Sequence, residues 1–207
     1  MKPKENIYQK TIELYERLGK KYVEDIASAD IRELPDFIEA LPKGGRVLDV
    51  GCAGGRDSKK FVEAGLEVIG IDLVDVFLEE ARKNVPQAKF IKMDLLGLEF
   101  PDNHFDGIWA NAVLLHLKKE DVPRALKGFN RVLKHKGKLY IGVKRGSGEK
   151  YKEERLSGGE KRFFSYFLKN EMEKFVRDAG FRIISSKIFP DTLGRKDLKW
   201  IGILAEK

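Results

Sequence analysis

The apolar positions of the first forty residues recur at helical spacing. Ile7, Leu14, Tyr15, Leu18 and Tyr22 lie three, four or seven apart and share one helix face. A second helical piece, "IRELPDFIEAL", runs into Pro42-Lys43-Gly44-Gly45, residues that end a helix. Beyond it, short apolar runs alternate with amphipathic ones. "RVLDVG" reads as a strand, "RDSKKFVEAG" as a helix closed by Gly65, and "LEVIGIDL" as a strand. "VDVFLEEARKNV" is a helix ending before Pro86, and "AKFIKMDL" is again a strand. "FDGIWANAV" follows a turn at Pro101-Asp102-Asn103, "KEDVPRALKGFNRVLK" is helical, and "GKLYIGVK" is a fifth strand. Such alternation predicts an α/β fold, a doubly wound and mostly parallel sheet with helices on both faces. After the helix "LKNEMEKFVRDAG" the pattern changes. "FRIISSKIF" and "LKWIGILAEK" are strands joined by a loop with no room for a crossover helix, so this pair must be antiparallel.

Composition narrows the class without changing this outline. A chain of 207 residues and 23.6 kDa suits one α/β domain, here residues 1–207. With 42% hydrophobic and 35% charged residues it reads as a soluble globular protein, and no apolar run approaches the roughly 20 residues of a membrane helix. "MKPKENIYQK" lacks the apolar stretch of a secretory signal, and Cys52 is the single cysteine; both point to a reducing cytoplasm. Glutamine occurs only at Gln9 and Gln87 while lysine and glutamate abound, a balance reported for heat-loving organisms. The net charge of +7 raises a nucleic-acid partner, but the positives are interleaved with acids, as in "KEERLSGGEKR". Mixed charge of this kind serves solubility rather than partner choice.

The stretch "RVLDVGCAGGRDS" carries the chemistry. Gly51 and Gly55 let the chain turn tightly at a strand end, Gly54 adds freedom, and Ala53 is nearly as small. A phosphate-binding loop would place a lysine and a hydroxyl residue after the glycines, whereas Arg56-Asp57 follow here. Asp72 ends the second strand about twenty residues on, where a carboxylate accepts bonds from ribose hydroxyls. The spacing G-C-A-G-G is not the G-x-G-x-x-G of dinucleotide binders. Asp49, two residues before the first glycine, would repel a pyrophosphate and suit an ammonium or sulfonium. A ligand with a ribose, a positive charge and no phosphate is S-adenosylmethionine. Asp49 capping a turn, and Asp72 as a plain strand-end acid, are the bland alternatives.

These segments resemble, in order, a class I S-adenosylmethionine-dependent methyltransferase. "VLDVGCAGG" is similar to that family's D-x-G-x-G-x-G turn, with Ala53 at the middle glycine, and "VIGIDL" to the strand ending in the ribose acid Asp72. "IKMDLLGLEF" resembles the segment whose acid, Asp94, and following amide, Leu95, meet the adenine. "FDGIWANAVLLHL" resembles a fourth strand whose end, at Asn111 and Ala112, borders the cofactor, and "RVLKHKGKLYIGV" resembles the run into the fifth strand. "LYERLGKKY" resembles a lid helix whose Tyr15 and Tyr22 cover the cofactor. The resemblance implies seven strands in the order 3-2-1-4-5-7-6 with an antiparallel last strand, a helical lid over residues 1–42 and a Rossmann-like core over 43–207. It implies S-adenosyl-L-methionine as cofactor and S-adenosyl-L-homocysteine as product. Beside the residues already named, Cys52 and Leu73 border the cofactor through their backbone. Arg56, a cation at a helix start, hints at a carboxylate partner, either Asp57 or the cofactor's own.

Methyl transfer from a sulfonium needs placement and exclusion of water, and a base only if the nucleophile must lose a proton. His116 after the fourth strand, Lys144 at the end of the fifth, and Arg162 in the run Arg162-Phe163-Phe164-Ser165-Tyr166 are the acceptor-side candidates. His116 has three readings: base, substrate ligand, or a histidine packed for structural reasons. Arg162 beside aromatics suits a flat or carboxylated molecule, unless the phenylalanines close the core and leave it at the surface. That segment, "EERLSGGEKRFFSYF", reads as a loop over the acceptor crevice. No Asn/Asp-Pro-Pro-aromatic motif follows the fourth strand, and no metal-ligand spacing is evident. A small-molecule acceptor is the leading reading for a monomer or dimer. A tRNA or protein acceptor, and a non-catalytic cofactor-binding protein, are the alternatives.

Overall fold

The computed structural model describes residues 7–29, 31–195 and 197–207, so residues 1–6 of the expected lid lie outside the described residues. Two helices, α1 (Ile7–Ile26) and α2 (Leu34–Glu39), precede the strand β1 (Arg46–Val50). Then alternate α3 (Arg56–Glu63), β2 (Glu67–Asp72), α4 (Asp75–Asn84), β3 (Lys89–Lys92), β4 (Phe105–Asn111), α5 (Val122–Val132) and β5 (Leu133–Lys144). A hairpin of β6 (Glu149–Glu153) and β7 (Lys161–Ser165) follows, then α6 (Lys169–Asp178), β8 (Arg182–Pro190) and β9 (Lys199–Glu206).

The main sheet has seven strands in the order β3-β2-β1-β4-β5-β9-β8. With the hairpin counted apart, this is the expected 3-2-1-4-5-7-6. β1 pairs in parallel with β2 and β4, and β9 runs antiparallel to β5 and β8. β1 therefore sits where the strand order reverses, and a crevice opens at the carboxyl ends of β1 and β4. The central strands are apolar on both faces because both faces are covered: Val47, Leu48, Val50, Ile108, Trp109 and Ala110 are all buried. On one face α5 contributes Val122, Ala125, Leu126, Phe129 and Val132, the spacing of a single helix stripe. On the other, Trp109 stacks on Tyr140 with ring centroids 4.0 Å apart, and Phe37 and Phe61 pack around it. Each such buried ring contributes about 1.5–3 kcal/mol.

The hairpin corrects the expectation of a loop. All five residues of β6 are exposed, while four of the five in β7 are buried, so neither strand shows the alternation by which strands are read. The two N-terminal helices also differ in role. α2 seats Phe37 in the core, whereas α1 crosses the crevice. α1 breaks at Gly19, whose φ of 53° and ψ of −137° are not helical. Its second half brings Val23 against the glycine turn, where a Cβ at Gly54 would lie 2.2 Å from Val23 Cγ1. Gly54 thus permits a close helix approach rather than adding freedom. Gly54→Ala is expected to cost about 1–3 kcal/mol by overpacking. Urea denaturation measures this, and adding Val23→Ala should recover most of the loss.

Candidate functional site

The turn after β1 is held by the neighbouring strand. The amides of Gly51 and Cys52 both donate to the Ile71 carbonyl, at 2.8 and 3.1 Å. Gly51 has a φ of 72°, and a Cβ there would meet Val113 Cγ2 at 2.7 Å, so only glycine fits. Ala53 has a φ of 44°, unusual for a residue with a side chain. Its amide donates to Asp72 Oδ2 at 3.0 Å, while Asp72 Oδ1 accepts from Leu73 at 2.8 Å and Val74 at 3.1 Å. Asp72 therefore builds the turn as well as facing the crevice, a role the sequence did not suggest. Burial pushes its pKa up, and the three amides pull against that. A carboxylate offers about four lone-pair directions, so capacity remains for one hydroxyl donor.

Two cavities meet at this turn, of about 1020 and 890 Å³ with their open mouths included. Both are lined by Tyr15, Tyr22, Gly51, Ala53, Ala112 and His116. The first extends past Asp49, Cys52, Arg56, Asn111, Lys144 and Arg162. The second extends past Asp72, Leu73, Phe77, Met93, Asp94 and Leu95. The expected site residues thus gather on two joined spaces, with one correction. Gly55 lines neither cavity: it caps α3 with a φ of 80° and packs against Ala81 of α4 and Val85 just after it.

In the second cavity, Asp94 Oδ1 accepts the Leu96 amide at 2.9 Å, which fixes the turn that presents Leu95. Tyr15, Tyr22 and Phe77 form an aromatic cluster with centroids 4.8–5.5 Å apart, so the α1 tyrosines pack on α4 and cover the crevice. In the first cavity, Asp49 is 2% exposed and accepts Ser58 Oγ at 2.6 Å. Burial and the nearby Asp57 raise its pKa to about 7. Of the two partners expected for Arg56, the structure supplies Asp57: its Nε donates to Asp57 Oδ1 at 2.6 Å and its Nη1 to the Ile26 carbonyl at 3.0 Å. Cys52 is a buried thiol whose pKa burial raises, so it acts as a small apolar side chain.

Asp49 gives a pH prediction. A cation bound beside it favours the ionised carboxylate, so the bound pKa falls below about 7. Affinity for S-adenosylhomocysteine, which carries an ammonium, should then decline as pH drops through about 7 and plateau above it. Calorimetric titration across that range checks this, and Asp49→Asn should weaken binding and flatten the profile.

His116 lies in a single turn of 3₁₀ helix, Leu114–His116, between the lid and the hairpin. Its Nδ1 lies 3.3 Å from the Phe163 carbonyl and its Nε2 2.9 Å from Tyr15 Oη. The carbonyl can only accept, so Nδ1 carries the proton and the tyrosine donates to Nε2. Burial, with Arg162 and Lys144 nearby, holds the ring neutral by lowering its pKa far below the ordinary value. Lys144 is 2% exposed. Its Nζ donates to Glu154 Oε2 at 2.5 Å and sits 3.6 Å from the Phe164 ring centroid. Burial lowers its pKa to about 7 against the pull of Glu154. Arg162 is buried too, which removes the reading that placed it at the surface. Glu154, Asp191 and Arg195 complete this group, and sequence reasoning missed them, because a charge-rich run reads as a solvated face. Among the described residues, no group of three or more His, Cys, Asp or Glu is placed to hold a metal ion.

A methyltransferase-domain family matches residues 48–141, from β1 into β5. YqeM of Bacillus subtilis (strain 168), assigned as a methyltransferase, is 34% identical over 136 residues, 63% of this chain and 55% of that protein. The S-adenosyl-L-methionine-dependent Diels-Alderase iccD of Talaromyces variabilis is 36% identical over 110 residues, 49% of this chain and 37% of its own. The chain thus spans about half or less of the length of these curated relatives. A solved structure of the 1,6-didemethyltoxoflavin-N1-methyltransferase of Burkholderia thailandensis, with that compound and S-adenosylhomocysteine bound, superposes with a TM-score of 0.73. It is 20% identical and covers 100% of this chain and 92% of its own. The matched segment is that of a methyltransferase domain, and the fold is the Rossmann-like one of the solved methyltransferase.

The site fits S-adenosylmethionine on its own geometry. Asp72 has acceptor capacity directed at one cavity, Gly51 presents bare backbone to both, and Asp49 is a buried acid beside it.

Proposed function

We propose that this protein transfers a methyl group from S-adenosylmethionine to a small-molecule acceptor, the nucleoside lying in the cavity of Asp72 and the acceptor in that of Arg162. The observation that carries this is the junction of the two spaces at Gly51, Ala53 and Ala112, with recognition groups of different chemistry on either side. Asp72 would accept a ribose hydroxyl, Asp94 and the Leu95 amide would face the adenine, and Asp49 would face the ammonium. Leu73, Cys52, Asn111 and Ala112 shape the walls. When bound, the cofactor supplies a methyl group on a cationic sulphur.

The chain's own part is to place the acceptor, exclude water and receive a proton. Tyr15 and Tyr22 close the cavity from above. Lys144, whose pKa of about 7 leaves much of it neutral near neutrality, is the candidate base. His116 offers its Nε2 to Tyr15, so it positions that phenol rather than meeting the acceptor directly. Residues 1–207 would act as one unit in the cytoplasm, with α1 as the lid.

Charge distribution favours a small molecule over RNA. Surface cations are paired with acids on many elements, for example Lys21–Asp25, Lys60–Glu63, Lys92–Asp75, Lys119–Glu171 and Arg182–Glu206. Such pairing intersperses the two signs of charge over these elements, which serves solubility. A second reading, binding S-adenosylmethionine without methylation, is prompted by the relative named a Diels-Alderase. Incubation of the protein with radiolabelled cofactor and metabolite or tRNA pools tests the proposal. Label moving into small acidic or aromatic compounds supports it, label in tRNA replaces the acceptor class, and cofactor binding with no label transfer favours the second reading.

A further inference from the structure

We propose that the space in front of Arg162 is an anion subsite, which recognises the acceptor by a carboxylate or phosphate carried on a flat body. This rests on the reading of the adjoining cavity as the acceptor site. Arg162 is 4% exposed, and its Nε and Nη1 are buried without a hydrogen-bond partner. Buried guanidinium donors are rarely left so, because unmade bonds to a charged group are costly. Nearest among the acids is Glu154, whose Oε2 lies 3.8 Å from Arg162 Nη2, an ion pair beyond hydrogen-bond length.

That carboxylate is already committed. Glu154 Oε2 accepts Lys144 Nζ at 2.5 Å and Arg195 Nη1 at 3.4 Å. The other acid of the group, Asp191, accepts Arg195 Nη2 at 2.6 Å and Trp200 Nε1 at 2.9 Å. Two guanidiniums, Arg162 and Arg195, therefore share the carboxylates Glu154 and Asp191 with the Lys144 amine, and Glu154 is left with no contact of hydrogen-bond length to Arg162. Nε and Nη1 lie on opposite edges of the guanidinium, so an oxyanion on Nη1 would complete one of these hydrogen bonds together with the charge, in the planar donor geometry that guanidinium offers.

The walls define the rest of the ligand. The Arg162 guanidinium lies 5.0 Å from the centroids of Tyr15 and Phe164 and 5.7 Å from that of Tyr22, and Trp200 lines the same cavity. Aromatic faces around a cation favour a planar acid. Arg162 lines the cavity of Lys144 and Asp191 and not that of Asp72; the cofactor's amino-acid end reaches the same cavity at Asp49, so its carboxylate is the rival anion, and the test is therefore made on protein already saturated with S-adenosylhomocysteine.

The test is calorimetry on protein saturated with S-adenosylhomocysteine, using benzoate, phenyl phosphate and the neutral isostere benzamide as probes. At least one acid should bind roughly tenfold or more tightly than benzamide, and which one distinguishes carboxylate from phosphate. Arg162→Gln should remove the preference while leaving affinity for S-adenosylhomocysteine unchanged. Arg162→Lys, which keeps the charge and loses the fork, should retain only part of it. Equal binding of acids and amide overturns the proposal. Arg162→Gln losing S-adenosylhomocysteine together with the acids also overturns it, because the residue then serves the cofactor. Wild-type protein that fails to bind S-adenosylhomocysteine sinks instead the reading of the cavities on which the proposal rests.

Discussion

Asp72→Ala is expected to abolish tight binding of S-adenosylmethionine and S-adenosylhomocysteine. A ribose hydroxyl donating to a carboxylate contributes about 1.5–3 kcal/mol, so losing that bond weakens affinity on the order of ten- to a hundredfold. The same substitution removes the acceptor for the amides of Ala53, Leu73 and Val74. It should therefore loosen the turn that holds Ala53 at positive φ, with a fall in melting temperature alongside the binding loss. Asp72→Asn separates the two effects. It keeps the shape and one carbonyl oxygen but loses the charge, so binding should suffer more than stability. Unchanged calorimetric affinity in Asp72→Ala would remove the residue from the cofactor site.

The second large effect concerns stability. Glu154→Gln leaves Lys144 and Arg162, each 3% exposed at the side chain, without the carboxylate they share. Breaking a buried ion pair by removing one partner typically costs 3–5 kcal/mol. Here Lys144 can shed its proton, its pKa being already lowered to about 7, so the expected cost is about 3 kcal/mol near neutral pH. The sign of the pH dependence follows. Loss of Glu154 lowers the folded pKa of Lys144 further. The unfolded chain then binds the proton more tightly than the folded one over a wider range, and stability rises with pH across it. Adding Lys144→Met to Glu154→Gln should recover part of the loss, which a double-mutant cycle by denaturant titration reads directly.

Much of the fold was legible because its central elements obey simple periods. The apolar runs of β1, β2 and β4, the stripe on α5, and the short connection between β8 and β9 each dictate one arrangement. The cofactor side was nearly as legible, since Gly51 and Asp72 carry backbone and carboxylate chemistry that follows from residue type. Gly55 misled because a glycine at a helix cap and a glycine under a ligand look alike in sequence. The acceptor side was less so. The β6–β7 hairpin has no alternation, and Glu154 sits in "KEERLSGG", where charges imply solvent. Its burial depends on Lys144, Arg162 and Arg195 converging from distant positions, which no local pattern records. Gly54 and Val23 are likewise a long-range pair, visible only once α1 has bent at Gly19.

The most direct measurement is a crystal structure of the protein with S-adenosylhomocysteine. The expected result places its ribose on Asp72, its adenine beside Asp94 and Leu95, and its amino-acid end over Gly51 toward Asp49. A nucleoside bound away from the two joined cavities, or a site that takes a phosphate or a nicotinamide against those glycines, would contradict it.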